Sequence, residues 1–326
     1  MNILRKYANL LRQYGPLGLS RICARAVAWF ILSALPSASG YKKIKVKDGE
    51  LGIDYEMYID LKDDGISKAL FIYGTRERDQ ISVLKRHLRQ GSKILDIGAN
   101  LGYYVILEAI LAGPRSRIVA YEPSKDNFSL LKKNLTLNGL FDRVEANNSA
   151  VSNNTGTRRF YISEKSNLHT LNPARYRGAE AAEEKASVEV KAVDIYGIFS
   201  AHRDIACVRM DIEGHEVEVL GRIADAARDL NLYPDILFET HFPKYDSARH
   251  DIEREIRKLF ALGYIPKILT STDDRNSRMR QKGYRPVFAL NTDRVTRGIY
   301  EGISKEDSLA LISREGGVRA VLLRKE

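Results

Sequence analysis

Lys93-Ile94-Leu95-Asp96-Ile97-Gly98-Ala99-Asn100-Leu101-Gly102-Tyr103-Tyr104 is the stretch that decides the fold. Its apolar run is too short for a buried helix and leads straight into glycines, so residues 93–97 read as a buried parallel strand. Gly98 lets the chain leave that strand in a tight turn with backbone close to a ligand, and Gly102 permits a helix to approach closely. The glycines alone fit a dinucleotide fingerprint loosely, because the segment 98–102 lacks the full pattern. Two acids sharpen it. Asp96 precedes the first glycine, and Glu122 ends the next apolar segment, 24 residues beyond Gly98. An acid in the second position can accept both hydroxyls of a ribose. Asp96 disfavours a pyrophosphate and favours a cationic ammonium by sign of charge. S-adenosylmethionine combines an ammonium, a sulfonium and a ribose without phosphate, and is the cofactor these charges suit.

Outward from this loop, strand and helix patterns alternate. Upstream, Ile44, Val46, Met57, Ile59 and Leu61 are separated by polar residues and predict a strand pair with a turn around Asp48-Gly49. A helix is predicted over 76–88, stopped at Gln90-Gly91. Downstream come a helix at 103–111, a strand at 117–121, a helix at 125–137 and a strand at 142–147. Strands at 188–193 and 205–210, a helix at 215–230, a strand at 235–238 and a helix at 248–262 continue the series. The alternation implies an α/β fold, a mostly parallel doubly wound sheet with helices on both faces. Residues 270–298 read as a long polar loop and 318–323 as a terminal strand.

Four segments together resemble the FkbM family of S-adenosylmethionine-dependent methyltransferases: GSKILDIGANLGYY (91–104), YEPSKDNFSLLKKNLTLN (121–138), RMDIEGHEVEVL (209–220) and ILFETH (236–241). Their order and spacing match over roughly 57–268, and MDIEGHE is the segment most particular to the family. The resemblance implies a Rossmann-like class I methyltransferase fold and O-methylation of a sugar, glycan or small-molecule hydroxyl. It divides the chain into an N-terminal helical extension (1–40), a strand pair and helix (41–90) and a methyltransferase domain (91–326). Carried over by position, Asp96, Gly98, Asn100 and Gly102 bind the methionine part of the cofactor, with Ala99 and Tyr103 on the same loop. Glu122 holds the ribose, and Glu77, in YGTRE, is the acid that closes over the cofactor.

On the substrate side, a parallel sheet brings the end of the strand carrying Asp211 and Glu213 beside the end of the strand carrying Glu239 and His241. Methyl transfer from a sulfonium is an in-line displacement that needs alignment and removal of a hydroxyl proton. His241 is the expected general base, oriented by Glu239 or Asp211. His215, at a helix start, and His169 are weaker candidates. No metal is expected, although Asp211 and Glu239 could hold Mg²⁺ or Ca²⁺ with a substrate diol completing the shell. The irregular residues 163–185 and the polar late segment are expected to cover the acceptor.

Composition sets the remaining bounds. With 326 residues and two distant cysteines, Cys23 and Cys207, the chain can bury a sizeable core and has neither a disulfide framework nor a thiolate zinc site, which fits a reducing cytosol. Lys+Arg 52 against Asp+Glu 42 gives a formal +10, which favours anionic partners. A nucleic-acid methyltransferase is the main rival. It is disfavoured because Asp211-Ile212-Glu213-Gly214 stands where amino-directed base methylases carry a proline-aromatic motif, and its carboxylates repel phosphate. A noncatalytic module that keeps the fold as a scaffold is the other alternative. Near the start, residues 26–35 form an apolar run ended by Pro36, too short to span a bilayer. Ser37-Ala38-Ser39 could mark a cleaved signal, but the basic region before the run is too long for one. Residues 1–35 are expected to form one or two helices packed on the body, or to lie at an anionic membrane face with Trp29, Phe30, Ile31 and Leu32 toward lipid.

Overall fold

Residues 93–97 do form a strand, and the register of its neighbours decides where the chemistry lies. The computed structural model describes residues 3–35, 40–163, 165–172, 187–245, 248 and 250–326. Helix α1 (Ile3–Ala34) breaks at Gly15 (φ 66°), just ahead of Pro16. The antiparallel pair β1 (Tyr41–Asp48) and β2 (Ile53–Asp60) follows, then α2 (Ile66–Tyr73) and α3 (Arg78–His87). Next come β3 (Lys93–Ile97), α4 (Tyr103–Leu111), β4 (Arg117–Tyr121), α5 (Lys125–Leu137) and β5 (Val144–Asn147). Strands β6 (Ala150–Ser152), β7 (Gly156–Tyr161) and β8 (Ser187–Asp194) make a small separate sheet. The series resumes with α6 (Ile195–Ala201), β9 (Ile205–Met210), α7 (Glu216–Leu230), β10 (Asp235–Glu239) and α8 (Ile252–Ala261). It closes with β11 (Tyr264–Ser271), α9 (Arg278–Gln281), β12 (Phe288–Thr292), β13 (Val295–Tyr300), α10 (Lys305–Ala310) and β14 (Val318–Lys325).

Among the described residues, the main sheet has nine strands in the order β12-β13-β11-β14-β10-β9-β3-β4-β5. The five from β10 to β5 are mutually parallel, whereas β14, between β10 and β11, is antiparallel to both. Strand residues alternate between two cores, as a doubly covered sheet requires. Ile94, Ile118 and Leu237 pack with α3, α4, α5 and the β1–β2 pair, while Leu95, Val119, Val208 and Phe238 pack with α6, α7 and α8. Chain order reverses at β3, whose neighbours are β4 on one side and β9 on the other. The crevice beyond the carboxyl ends of β3 and β9 is therefore the place for a ligand.

Four expectations change. The strand expected at 188–193 forms as β8, but in the small sheet, parallel to β6 and antiparallel to β7. The expected loop at 270–298 holds the end of β11, α9, β12 and most of β13. Its β12–β13 turn runs through Asp293 (φ 48°) and Arg294 (φ 69°), and positive φ at both central residues usually announces itself as Asn-Gly. Asp-Arg gives no such signal. Finally, Trp29 is buried with its ring 5.5 Å from Phe71, and Leu32 is partly buried against the core, so neither faces outward. Phe30 and Ile31 are exposed, as are Leu17, Val27 and Leu35. Gly15–Ala34 is by length and composition apolar enough to cross a membrane, which counting only the uninterrupted run after Arg25 had hidden. Residues 37–39 lie outside the described residues.

One buried side chain ties the strand pair to the glycine loop after β3. Asn134 on α5 accepts from Tyr58 N (2.6 Å) and donates to Tyr58 O (3.0 Å) and Leu101 O (2.8 Å). Asn134→Ala leaves three backbone groups without this partner, which should lower unfolding free energy by about 3 kcal/mol. Denaturant titration measures this, and a loss below about 1 kcal/mol would show that the bonds are replaced by water.

Candidate active site

The cavity of about 390 Å³ at the ends of β3, β4, β9 and β10 is shaped first by backbone. Gly98 (φ 88°) brings the loop after β3 so near the loop after β9 that a Cβ would lie 2.2 Å from Asp211 O. At Gly102 (φ 92°) a Cβ would lie 2.7 Å from Leu131 Cδ1 of α5. Gly98 and Ala99 both donate to Tyr121 O at 3.0 Å, which anchors the loop to the end of β4. Asn100 adopts a left-handed conformation (φ 50°) and directs its N–H at Glu122 Oε2, 2.8 Å away. Ser124 N donates to Glu122 Oε1 at 2.8 Å. Burial pushes Glu122 up to about 7 against the pull of these bonds. Each oxygen keeps a lone pair available to a ligand hydroxyl.

Gly98, Ala99, Asn100, Tyr103, Glu122 and Glu77 line this cavity, whereas Asp96 and Gly102 do not. Asp96 is completely buried, facing Arg209 (3.5 Å) rather than the cavity. Its place at an interior position of β3, with the side chain toward the α4 side of the sheet, explains the difference: there it anchors Arg209 instead of meeting an ammonium group. Gly102 acts through helix packing. Glu77 is not a free acid either. Arg76 (2.5 Å), Arg319 (2.7 Å) and the Tyr104 hydroxyl (2.9 Å) saturate it, and although burial raises its pKa, Arg76 and Arg319 hold it well below the carboxylate range.

Across the cavity the parallel register gathers the substrate-side candidates. Ile97 of β3 pairs with Met210 of β9, and Met210 with Phe238 of β10, so the residues that follow emerge side by side. His241 Nε2 lies 3.3 Å from Glu213, 3.5 Å from Glu239 and 3.8 Å from Asp211. Each carboxylate also touches a cation: Arg209 lies 3.3 Å from Asp211, and Lys244 and Arg319 contact Glu213 and Glu239. Burial pushes Glu239 up to about 8 despite Arg319. Side-chain exposure is 25% for Asp211 against 11% for Glu213 and 3% for Glu239, so Asp211 is the acid most open to the cavity.

His241 departs from the expected role. Its Nδ1 is 2.9 Å from Glu216, a completely buried carboxylate that also accepts from Ile212 N and Gly214 N. Burial pulls His241 down, but Glu216 and Glu213 more than reverse this and push it up to about 10. These acids favour the protonated ring, which opposes the expected role of a free general base. His215 bonds Ser152 Oγ (3.0 Å) and makes no side-chain helix cap, while His169 Nδ1 accepts from Ser163 N (2.9 Å). Most of the covering segment expected at 163–185 falls outside the described residues.

Glu216, Arg209, Arg319 and Arg76 were not singled out from sequence. Glu216 and Arg209 lie inside the quoted RMDIEGHE segment, where only the acids nearest the strand end drew notice. Arg319, about 80 residues beyond His241, enters through the antiparallel insertion of β14 beside β10, which alternation does not announce.

The methyltransferase FkbM domain profile matches residues 96–286. Methyltransferase sdnD of Sordaria araneosa is 27% identical over 152 residues, 39% of this chain and 58% of its own length. The hexuronic acid methyltransferase AglP of Haloferax volcanii is 22% identical over 169 residues, 51% of this chain and 62% of its own. The matched part thus spans about three-fifths of each relative. Among solved structures, methyltransferase FkbM from Methylobacillus flagellatus aligns with a TM-score of 0.39 at 14% identity, over 86% of this chain and 60% of that one.

Glu122 supplies a pH signature. If Glu122 receives the ribose hydroxyls, as the sequence leads one to expect, they donate to its ionised form, and S-adenosylmethionine affinity should be level above pH 8 and fall as pH drops through 7, by about tenfold at pH 6. Calorimetry across this range should show the slope in the wild type and lose it in Glu122→Gln, which should also bind more weakly. An unchanged slope in the variant would exclude Glu122 as its source.

Proposed function

The chain belongs to the FkbM methyltransferase family, and from that premise we propose that it transfers the methyl group of S-adenosylmethionine to a hydroxyl of a sugar, glycan or small natural product. One observation carries this: a single cavity is lined on one side by Gly98–Asn100 and Glu122 and on the other by Asp211, Glu239 and His241. Two observations support the cofactor reading: Gly98 without a Cβ lets the loop after β3 close against the loop after β9, and Glu122 retains acceptor capacity. When bound, S-adenosylmethionine supplies an electrophilic methyl on a sulfonium. Glu122 would hold the ribose hydroxyls, and the backbone of Gly98–Asn100 would meet the methionine part.

The acceptor hydroxyl then lies against Asp211, whose Oδ1 faces His241 and whose Oδ2 is held by Arg209. Asp211 takes the hydroxyl proton. The His241 cation, fixed through Nδ1 by Glu216, orients that carboxylate and the acceptor. The arginines of the cavity are already paired with acids, so a neutral polyhydroxyl acceptor suits the site better than an acidic one such as the hexuronic acid named for the Haloferax volcanii relative.

We also infer that α1 rests on an anionic bilayer. Ile22 and Trp29 pack inward, Leu17, Val27, Phe30 and Ile31 cover the opposite side, and exposed Arg21 and Arg25 flank them. In flotation with phosphatidylcholine–phosphatidylglycerol vesicles the full chain should rise with the lipid at low salt. The double variant Phe30→Glu/Ile31→Glu should stay behind while binding cofactor normally. A wild-type chain that stays behind contradicts this.

A labelled-methyl assay over a panel of saccharides, lipid-linked saccharides and small polyols tests the main proposal, with calorimetry for the cofactor. Asp211→Asn should lower turnover about 10²- to 10⁴-fold with cofactor affinity nearly unchanged. Turnover within about threefold of wild type would remove Asp211 as proton acceptor, and failure to bind S-adenosylmethionine at all would remove the enzyme reading.

A further inference from the structure

We propose that Asp211, Glu239 and His241 form a binding site for a divalent transition-metal ion, and that this ion receives an acceptor carrying two adjacent oxygens. The inference deepens the methyltransferase reading and rests on it for the identity of the acceptor, while the metal site itself stands on geometry. One oxygen from each of Asp211 and Glu239 and a ring nitrogen of His241 lie within 4.8 Å of one another. Ligand atoms about 2.1 Å from a shared ion lie about 3 to 4 Å apart, so small side-chain rotations close the set.

A gathering of acids is not in itself a site, and His241 supplies the independent sign. It is more than nine-tenths buried, and its Nε2 has no hydrogen-bond partner. That atom is nevertheless aimed into the carboxylates, 3.3 Å from Glu213 Oε2, which Lys244 also contacts, 3.5 Å from Glu239 Oε1 and 3.8 Å from Asp211 Oδ1. Glu216 explains the aim. Its carboxylate accepts two backbone N–H groups, from Ile212 and Gly214, and therefore faces His241 Nδ1 as an acceptor at 2.9 Å. Nδ1 must carry a proton, so an ion coordinates at Nε2 by displacing the proton that the surrounding acids otherwise hold there, and that proton is released to solvent. A histidine whose far nitrogen is held by a buried carboxylate is the second-sphere arrangement that fixes tautomer and ring orientation at metal centres.

The donor set selects the ion. Two carboxylates with one imidazole suit Mn²⁺, Fe²⁺ or Zn²⁺ better than the all-oxygen preference of Ca²⁺. Three protein ligands leave positions open on the cavity side, where Asp211 is partly exposed. A vicinal diol or a hydroxy-carbonyl group fills two such positions, and coordination lowers the pKa of the hydroxyl to be methylated. Arg209 on Asp211 and Arg319 on Glu239 keep the acids in place without using Asp211 Oδ1.

The full chain, stripped with chelator and dialysed, is titrated with Mn²⁺ and free ion is followed by electron paramagnetic resonance. S-adenosylmethionine is titrated calorimetrically into the same samples. Wild type should bind one Mn²⁺ per chain; Asp211→Asn and His241→Gln should each weaken it at least tenfold while binding S-adenosylmethionine as wild type does, and Glu122→Gln should bind Mn²⁺ normally. A wild-type chain that binds S-adenosylmethionine but no Mn²⁺ overturns the metal site. Equal Mn²⁺ binding by wild type, Asp211→Asn and His241→Gln overturns it as well. Mn²⁺ binding at this site without any S-adenosylmethionine binding supports the metal site and overturns the methyltransferase reading instead.

Discussion

Glu216 lies at the start of α7 with no solvent exposure, and its carboxylate gathers Ile212 N, Gly214 N and His241 Nδ1 around two oxygens. Two strands are joined by that one group, because the backbone donors follow β9 and the imidazole follows β10. A buried carboxylate without such partners would cost several kcal/mol. Its three donors keep it ionised, and it in turn keeps the loop after β9 folded back at Glu213 (φ 58°) and Gly214 (φ 100°). With the loop held, Asp211 and Glu213 face His241. The cofactor side depends on the same loop, since Asp211 O is the atom that Gly98 must lack a Cβ to pass.

Electrostatics follows from that placement. The cavity concentrates Asp211, Glu213, Glu239 and Glu77 near Arg76, Arg209, Arg319 and Lys244, each acid touching a cation. Little of this is surface charge, so screening by salt is weak and the partners fix one another's positions. Arg209 is the link between halves: it contacts Asp96 and Asp211 and stacks 3.7 Å over the Tyr104 ring, while Tyr104 bonds Glu77. Glu108 on α4 lies buried beneath this network, and burial and Asp96 push its pKa well above the usual carboxylate range.

The parallel half of the fold was legible because its signals are local. A short apolar strand leading through a turn into a helix occurs twice in succession, through Gly98 to α4 and through Glu122-Pro123 to Ser124, which caps α5. Asp211, Glu213, Glu239 and His241 were legible because residues just after parallel strands meet. What escaped depends on long-range pairing: the antiparallel insertion of β14 that delivers Arg319, the β12–β13 hairpin with its Asp-Arg turn, and β8 leaving the main sheet. Charge state escaped for a related reason. Asp96 and His241 have the residue types for an ammonium ligand and a base, but burial beside Arg209 and the Glu216–His241 contact reassign them, and neither can be read along the chain.

In the proposed function the Gly98–Glu122 loop and the Asp211–His241 cluster serve one reaction in one cavity. The most direct measurement is a crystal structure with S-adenosylhomocysteine. The ribose hydroxyls should lie on Glu122 and the sulfur should face Asp211 across the cavity of about 390 Å³. Product bound instead in the neighbouring cavity beside Lys62, Asp126 and Lys191, away from Asp211, would contradict it.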